Sequence, residues 1–253
     1  MNFLVDWLFE RARDSIAACW MFLVRGGGGR LGPTWLRQCL SLGSNNFSGN
    51  LPPELGNLSK LRELYINSCG AGGEIPSTFA ELLNLQVMEG SDSPFTGKIP
   101  NFIGNFTRLT SLRFQGNSFE GPIPSSFSKL ISLSSLRISD LYNVSSSLDF
   151  IRDLKNLTDL NLRNALISGS IPSFTGEFQK LQRLDLSFNN LTGEVPSSLF
   201  NSSALTDLFL GNNSLSGSLP AQKSEELKNI DLSYNQLSGS FPSWVTSASG
   251  LQL

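Results

Sequence analysis

Apolar residues return along most of the chain in one recurring phrase. It reads "LSLGSNNFSGNLP" at 40–52, "LRFQGNSFEGPIP" at 112–124, "LDLSFNNLTGEVP" at 184–196, "LFLGNNSLSGSLP" at 208–220 and "IDLSYNQLSGSFP" at 230–242. Aligned, these give a 24-residue unit starting at 37, 61, 85, 109, 133, 157, 181, 205 and 227, the unit at 205 being two residues short. Within each unit, apolar positions 4 and 6 alternate with polar positions 3, 5 and 7, the period of a β-strand. A short strand is therefore predicted over positions 3–8, with pairs such as Leu112 and Phe114, or Leu184 and Leu186, facing a core. One coil cannot bury that face by itself, so successive coils must stack into a solenoid.

Position 9 is Asn at 45, 117, 189, 213 and 235, where the strand ends. An inward Asn there can bond the backbone of its own and adjacent coils, each satisfied bond being worth roughly 1 kcal/mol. Gly at position 13 and Pro at position 16 then turn the chain. The other four units carry Cys69, Ser93, Leu141 and Ala165 at position 9, so the asparagine ladder is predicted to break at the last two. The coil 133–156 also lacks Gly-x-Ile-Pro and carries "SSSLDFIRDLKN". Ser146 followed by Asp149 has the form of a capping box, which predicts a convex α-helix over about 147–155 where other coils make 3₁₀ turns.

This unit is one coil of a leucine-rich-repeat solenoid. The predicted fold is an α/β right-handed coil with a parallel concave sheet of about nine strands, mostly 3₁₀ turns and one short convex helix. The Gly-x-Ile-Pro half makes residues 37–253 resemble the plant extracellular class of these repeats. "RFQGNSFEGPIPSSFSKL" and "RISDLYNVSSSLDFIRDLKNLTDLNLRN" are most similar to plant receptor-like kinases whose repeats precede a malectin-like domain, a membrane span and a cytoplasmic Ser/Thr kinase. The resemblance implies a non-catalytic, cell-surface recognition segment that binds a peptide or protein ligand, a small ligand or a co-receptor, without cofactor or nucleic acid. It implies membrane attachment only through segments beyond this chain. A secreted inhibitor of cell-wall-degrading enzymes uses similar repeats, with cysteine-paired caps at both ends, and stands as the alternative, together with a truncated non-functional remnant.

Composition narrows the chemistry. There is no histidine, which removes Ser-His-Asp and Cys-His catalysis, histidine metal sites and the His-Arg-Asp loop of kinases. Cys19, Cys39 and Cys69 are too few and scattered for a zinc site or a disulfide framework. A net charge of −2, without basic or acidic blocks, offers nothing to nucleic acid or an anionic membrane. "GGGRLG" at 27–32 satisfies a phosphate-loop pattern, but coils begin within five residues, so a flexible junction is the better reading.

Residues 1–36 form an atypical N-terminal segment, and 37–253 the repeat domain. "SIAACWMFLV" at 15–24 is too short to span a bilayer and follows Asp6, Glu10 and Asp14. Two readings stay open: an unorthodox secretion signal cleaved near the glycines at 26–29, or a misassigned or alternative start. Leu251-Gln252-Leu253 opens a further coil without a polar cap, as expected of part of a longer protein.

Candidate binding residues follow from the strand period. Positions 3, 5, 7 and 8 face outward on the concave side, where Arg113, Gln115, Arg137, Asp140, Arg163 and Arg183 gather in the middle coils. Phe188, Phe209 and Tyr234 follow. The arginines would receive a carboxylate or sulfate and the aromatic rings would pack apolar residues, unless Asp140, Asp159 and Asp185 neutralise a merely solvated face. Eight Asn-x-Ser/Thr sequons also occur. Asn57, Asn105 and Asn201 share the outward position 21 and are the leading glycan candidates, followed by Asn46, Asn156, Asn190 and Asn212; Asn143 falls at an apolar position and is the weakest.

Overall fold

The computed structural model describes residues 38–247; the readings for residues 1–36, Cys19 and Leu251–Leu253 lie outside them. Nine strands form one parallel sheet in chain order: Cys39–Ser41, Glu63–Tyr65, Val87–Glu89, Ser111–Phe114, Ser135–Ile138, Asp159–Asn161, Arg183–Asp185, Asp207–Phe209 and Asn229–Asp231. The register advances one coil at a time, placing Leu64, Met88, Leu112, Leu136, Leu160, Leu184 and Leu208 in a single row. All are fully buried, as the alternation at positions 4 and 6 requires. This is a leucine-rich-repeat solenoid.

The strands span three or four residues rather than the six predicted. Position 8 of every coil has positive φ: Ser44, Ser68, Asp92, Gly116, Asp140, Asn164, Phe188, Asn212 and Tyr234. A left-handed residue cannot continue a pleated ladder, so the chain leaves the sheet there.

After the turn, prolines 52, 76, 100, 124 and 172 introduce the 3₁₀ segments Pro53–Asn57, Ser77–Glu81, Asn101–Asn105, Ser125–Lys129 and Ser173–Glu177. Pro196 introduces a short α-helix, Ser197–Phe200, and a second one spans Ser243–Ser247. These segments stack closely through glycine. A Cβ on Gly176 would stand 2.4 Å from Ser198 Cβ, and one on Gly104 would stand 2.5 Å from the Ser126 carbonyl oxygen. Hydroxyls lock the same seam: Thr78, Ser126 and Ser198 donate to the carbonyls of Pro53, Asn101 and Ser173 in the preceding coils.

The helix expected over 147–155 is instead a 3₁₀ turn, Leu148–Ile151. Leu148, Ile151 and Leu154 are all buried, and their three-residue spacing matches the 3₁₀ period rather than 3.6. The cap is Ser147, whose hydroxyl accepts from the Asp149 N–H. Ser146 is buried, and its Oγ accepts from the Ile123 N–H at 2.8 Å. This coil also divides the lateral face. Thr96–Lys98 pairs with Ser118–Glu120 on one side of it, and Ser168–Ser170, Asn190–Glu194 and Ser214–Ser216 form a three-stranded sheet on the other. Only single bridges, Glu120 to Tyr142 and Ser146 to Ile167, cross between them.

The asparagine ladder is present. Asn117, Asn189, Asn213 and Asn235 each donate through Nδ2 to the carbonyl of the preceding coil's position 6, namely Gly90, Leu162, Leu186 and Leu210. Ser93 does the same to Ile66. Leu141 and Ala165 are buried and make no such bond, but Asn189 Oδ1 reaches back to accept from the N–H groups of Ala165 and Ile167. The next coil thus covers part of the gap. Cys69 is a buried free thiol with Sγ 3.9 Å from the Ala71 carbonyl oxygen, and Cys39 is also free.

Candidate binding face

The concave sheet puts the predicted residues in rows one strand apart. Arg113 and Arg137 are register partners on adjacent strands, about 4.8 Å apart. Like charges so close need nearby carboxylates. Arg113 Nε lies 3.4 Å from Glu89, and Arg137 Nε donates to Asp159 Oδ2 at 2.5 Å. Both arginines are half-buried rather than fully exposed, with 39% and 32% of the side chain accessible.

The next two arginines find aromatic partners. The Arg163 guanidinium lies 4.0 Å from the Phe188 ring centroid and donates to Ser187 Oγ. Arg183 stands 4.9 Å from the Phe209 ring and 3.9 Å from Asp185. Asp185 is itself buried, accepting from the N–H and hydroxyl of Ser187 and from Asn161 Nδ2. Gln115 is half-buried, while Tyr234 is 81% exposed on the last coil, apart from the arginine row. Glu89, Asn161 and Ser187 are members of this face that sequence reasoning missed. Glu89 stands at position 5 one coil before Arg113, so the 24-residue offset was a signal that could have found it.

Asp140 ties three coils together. It accepts from the Ser139 hydroxyl, the Gly116 N–H and Asn164 Nδ2. Partial burial alone would raise its carboxyl, but these hydrogen bonds, with Arg163 nearby, hold it below the usual carboxylate range. A depressed folded pKa gives stability that is complete above the unfolded pKa and fades as pH falls through the folded value. Asp140→Asn is therefore expected to lower Tm at neutral pH and to change it less in acid, as the pH falls through the folded pKa and the carboxyl takes up its proton. Calorimetry at the two pH values checks this; an equal decrement at both would deny the charge a role.

Several concave polar atoms are buried without a hydrogen-bond partner: Asn67 Oδ1, Asp159 Oδ1 and Arg183 Nε. Asp159 and Arg183 are register partners, so an unpaired acceptor and an unpaired donor occupy the same step of the sheet. Buried polar groups are normally satisfied, so this step of the sheet departs from the rule.

The sequons fall on other faces. Asn57, Asn105 and Asn201 are exposed at the ends of convex turns, and Asn46 and Asn190 on the lateral side. Asn156 is exposed, but its amide donates to the Ile131 carbonyl and accepts from Lys180. Asn212 is half-buried at a left-handed position. Asn143 is exposed with φ 75°, contrary to its apolar repeat position. Leu141, two residues earlier, takes the interior place instead.

The leucine-rich-repeat family profile matches residues 38–58, 108–130, 180–202 and 226–248. No curated protein sequence matches the chain. Among solved structures, the chain is similar to the plant peptide hormone receptor RGFR1 in complex with RGF2, at 30% identity and TM-score 0.77, over 85% of this chain and 35% of that one. A TDR receptor gives 36% identity and TM-score 0.74, over 81% and 36%. The ectodomain of the Arabidopsis receptor kinase HAESA, in complex with an extended IDA peptide hormone, gives 27% and 0.70, over 83% and 40%. The chain therefore spans only between a third and two fifths of these relatives. It carries leucine-rich repeats and is similar in structure to part of these plant receptor ectodomains. Among the described residues, no helix is long and apolar enough to cross a membrane.

Proposed function

We propose that residues 37–253 are the non-catalytic recognition segment of an extracellular, receptor-kinase-like plant protein, and that the concave face binds a peptide. In this reading residues 1–36 precede the repeat domain, and a malectin-like domain, membrane span and kinase belong to the longer protein. The observation that carries the peptide reading is the arginine row. Arg113 and Arg137 stand side by side with 39% and 32% of their side chains accessible, while Asp159 Oδ1 and Arg183 Nε are buried without a hydrogen-bond partner. An acidic or sulfated side chain, or a terminal carboxylate, would bridge the two guanidinium groups. Main-chain amides supply both a donor and an acceptor, matching the Asp159–Arg183 step. Two similar ectodomains, RGFR1 and HAESA, are named as complexes with peptide hormones, which supports the same ligand class here.

Selecting a displayed random-peptide library on the full chain is expected to enrich sequences with an acidic residue or free carboxyl terminus. Affinity of such a peptide should fall by about 2 kcal/mol or more when Arg113 and Arg137 are both replaced by Ala, since two central charged contacts are lost. Titration calorimetry reads this directly. Peptides that bind the double variant unchanged would move the site off this row.

A further inference from the structure

Position 11 of the repeat is a core position: Phe95, Phe119, Ile167, Leu191 and Leu215 are all buried there. In the coil 133–156 it is Asn143, and Leu141 takes the interior place. Asn143 is the centre of a three-residue turn, with φ 75° and the Val144 N–H donating to the Tyr142 carbonyl at 3.1 Å. A turn of that hand is rare and strained. The neighbouring coils hold it in place. The Tyr142 N–H donates to the Phe119 carbonyl on one side, and the Ser146 N–H donates to the Leu166 carbonyl on the other. Strain held this firmly, at a position that gives up a core side chain, points to a use other than folding.

Residues 142–145 form an unbroken exposed run. Tyr142 and Val144, on either side of Asn143, keep 47% and 42% of their surface accessible. They lie in the gap between the two lateral sheets, where only the single bridges at Tyr142 and Ser146 cross. Ser145 completes an Asn-x-Ser sequence with Asn143. Two other sequons are less well placed to carry a large group. The Asn156 amide is held by the Ile131 carbonyl and by Lys180, and Asn212 is half-buried. Asn143 instead stands at the tip of its turn, between two apolar side chains that nothing in its own coil covers.

We propose that Asn143 is a glycan acceptor, and that the first sugars of its N-linked oligosaccharide cover Tyr142 and Val144. This rests on the extracellular reading, because the donor, a lipid-linked oligosaccharyl pyrophosphate, is met in the secretory lumen. Transfer joins Asn143 Nδ2 to the anomeric carbon of the first sugar and breaks that carbon's bond to the pyrophosphate oxygen. The lipid pyrophosphate leaves, and one amide proton passes to solvent. The C–H face of the attached pyranose then packs on the exposed side chains, as apolar surface does on any accessible ring. Attached on the lateral side, the oligosaccharide fills the interruption between the two small sheets and leaves the concave arginine row open.

The test expresses the full chain in plant cells from its own start and reads each sequon by mass spectrometry, after enzymatic release of glycans in heavy-oxygen water. Asn143 is expected to be filled at least as fully as Asn57, Asn105 and Asn201, and Asn156 and Asn212 less so. Ser145→Ala abolishes the sequon while keeping Asn143 and its turn. It should remove one glycan and lower Tm by about 2 °C, a modest loss for a chain of this size. Made in bacteria, where no glycan is attached, the same substitution should leave Tm unchanged. In a chain carrying Tyr142→Ser, the difference between glycosylated and Ser145→Ala proteins should shrink. An empty Asn143 beside filled Asn57, Asn105 and Asn201 overturns this proposal and leaves the extracellular reading standing. A chain without glycan at any sequon overturns both. Equal Tm of the glycosylated parent and its Ser145→Ala variant overturns the covering of Tyr142 and Val144.

Discussion

Replacing Asn189 by alanine is expected to destabilise the solenoid by about 4 kcal/mol, far more than a typical polar substitution. The side chain is buried and makes five bonds to backbone. Nδ2 donates to the carbonyls of Leu162, Leu186 and Ser187, and Oδ1 accepts from the N–H groups of Ala165 and Ile167. Alanine would strand these groups away from water, and a buried unpaired group costs about 1–3 kcal/mol. The cost is high here because Asn189 Oδ1 takes the Ala165 N–H as well as the Ile167 N–H, whereas Asn213 and Asn235 accept from Leu191 and Leu215 alone. Asn45 is the contrast. It is half-buried in the first described coil and bonds only its own Leu42 and Gly43 carbonyls, so Asn45→Ala should cost about 1 kcal/mol. Urea denaturation of both variants, read at unchanged m, gives the comparison. Equal losses would show that the reach into Ala165 and Ile167 contributes nothing.

A similar loss, about 4 kcal/mol, is expected for Phe119→Ala. The Phe119 ring is fully buried between Phe95, at 6.3 Å, and Phe114, at 5.3 Å. Successive coils meet through these rings, and the strands around them cannot close on a void because their spacing is set by ladder hydrogen bonds. The truncation therefore loses both transfer energy and cavity energy. Phe119→Leu keeps most of the volume and should cost about half as much. Denaturation midpoints order the three proteins, and a cost for Phe119→Ala below about 1.5 kcal/mol would mean that the coils do collapse onto the gap.

Much of this arrangement was legible in the sequence because coil length sets register. A constant 24-residue offset is enough by itself to place Leu112 beside Leu136 and Arg113 beside Arg137. The inward asparagines were legible for the same reason, since an amide at the strand end can meet carbonyls from two coils. The pairing of Arg163 with Phe188 and of Arg183 with Phe209 was not, because it depends on which rotamer each long side chain adopts. The expected helix after Ser146 failed for a subtler reason. Leu148, Ile151 and Leu154 fit one helical face as well as they fit a 3₁₀ edge, and the turn that forms is the tighter one. Exposure of Asn143 escaped because a one-coil departure from consensus moves the interior place to Leu141, which no repeat alignment can anticipate.

The coil beginning at 205 shows how length variation is partitioned in this chain. It is two residues short, yet Leu208 still pairs with Ile230 and Asp207 with Asn229. The deficit is taken up on the convex arc, where Ser224 N–H bonds back to the Phe200 carbonyl and no 3₁₀ turn forms. The inner face behaves as a ruler graduated in whole coils, whereas the outer arc accepts single-residue edits. Descent by duplication can therefore lengthen the recognition surface in steps of one strand. The two-residue deficit of this coil lies behind it and moves no concave side chain out of line with its neighbours.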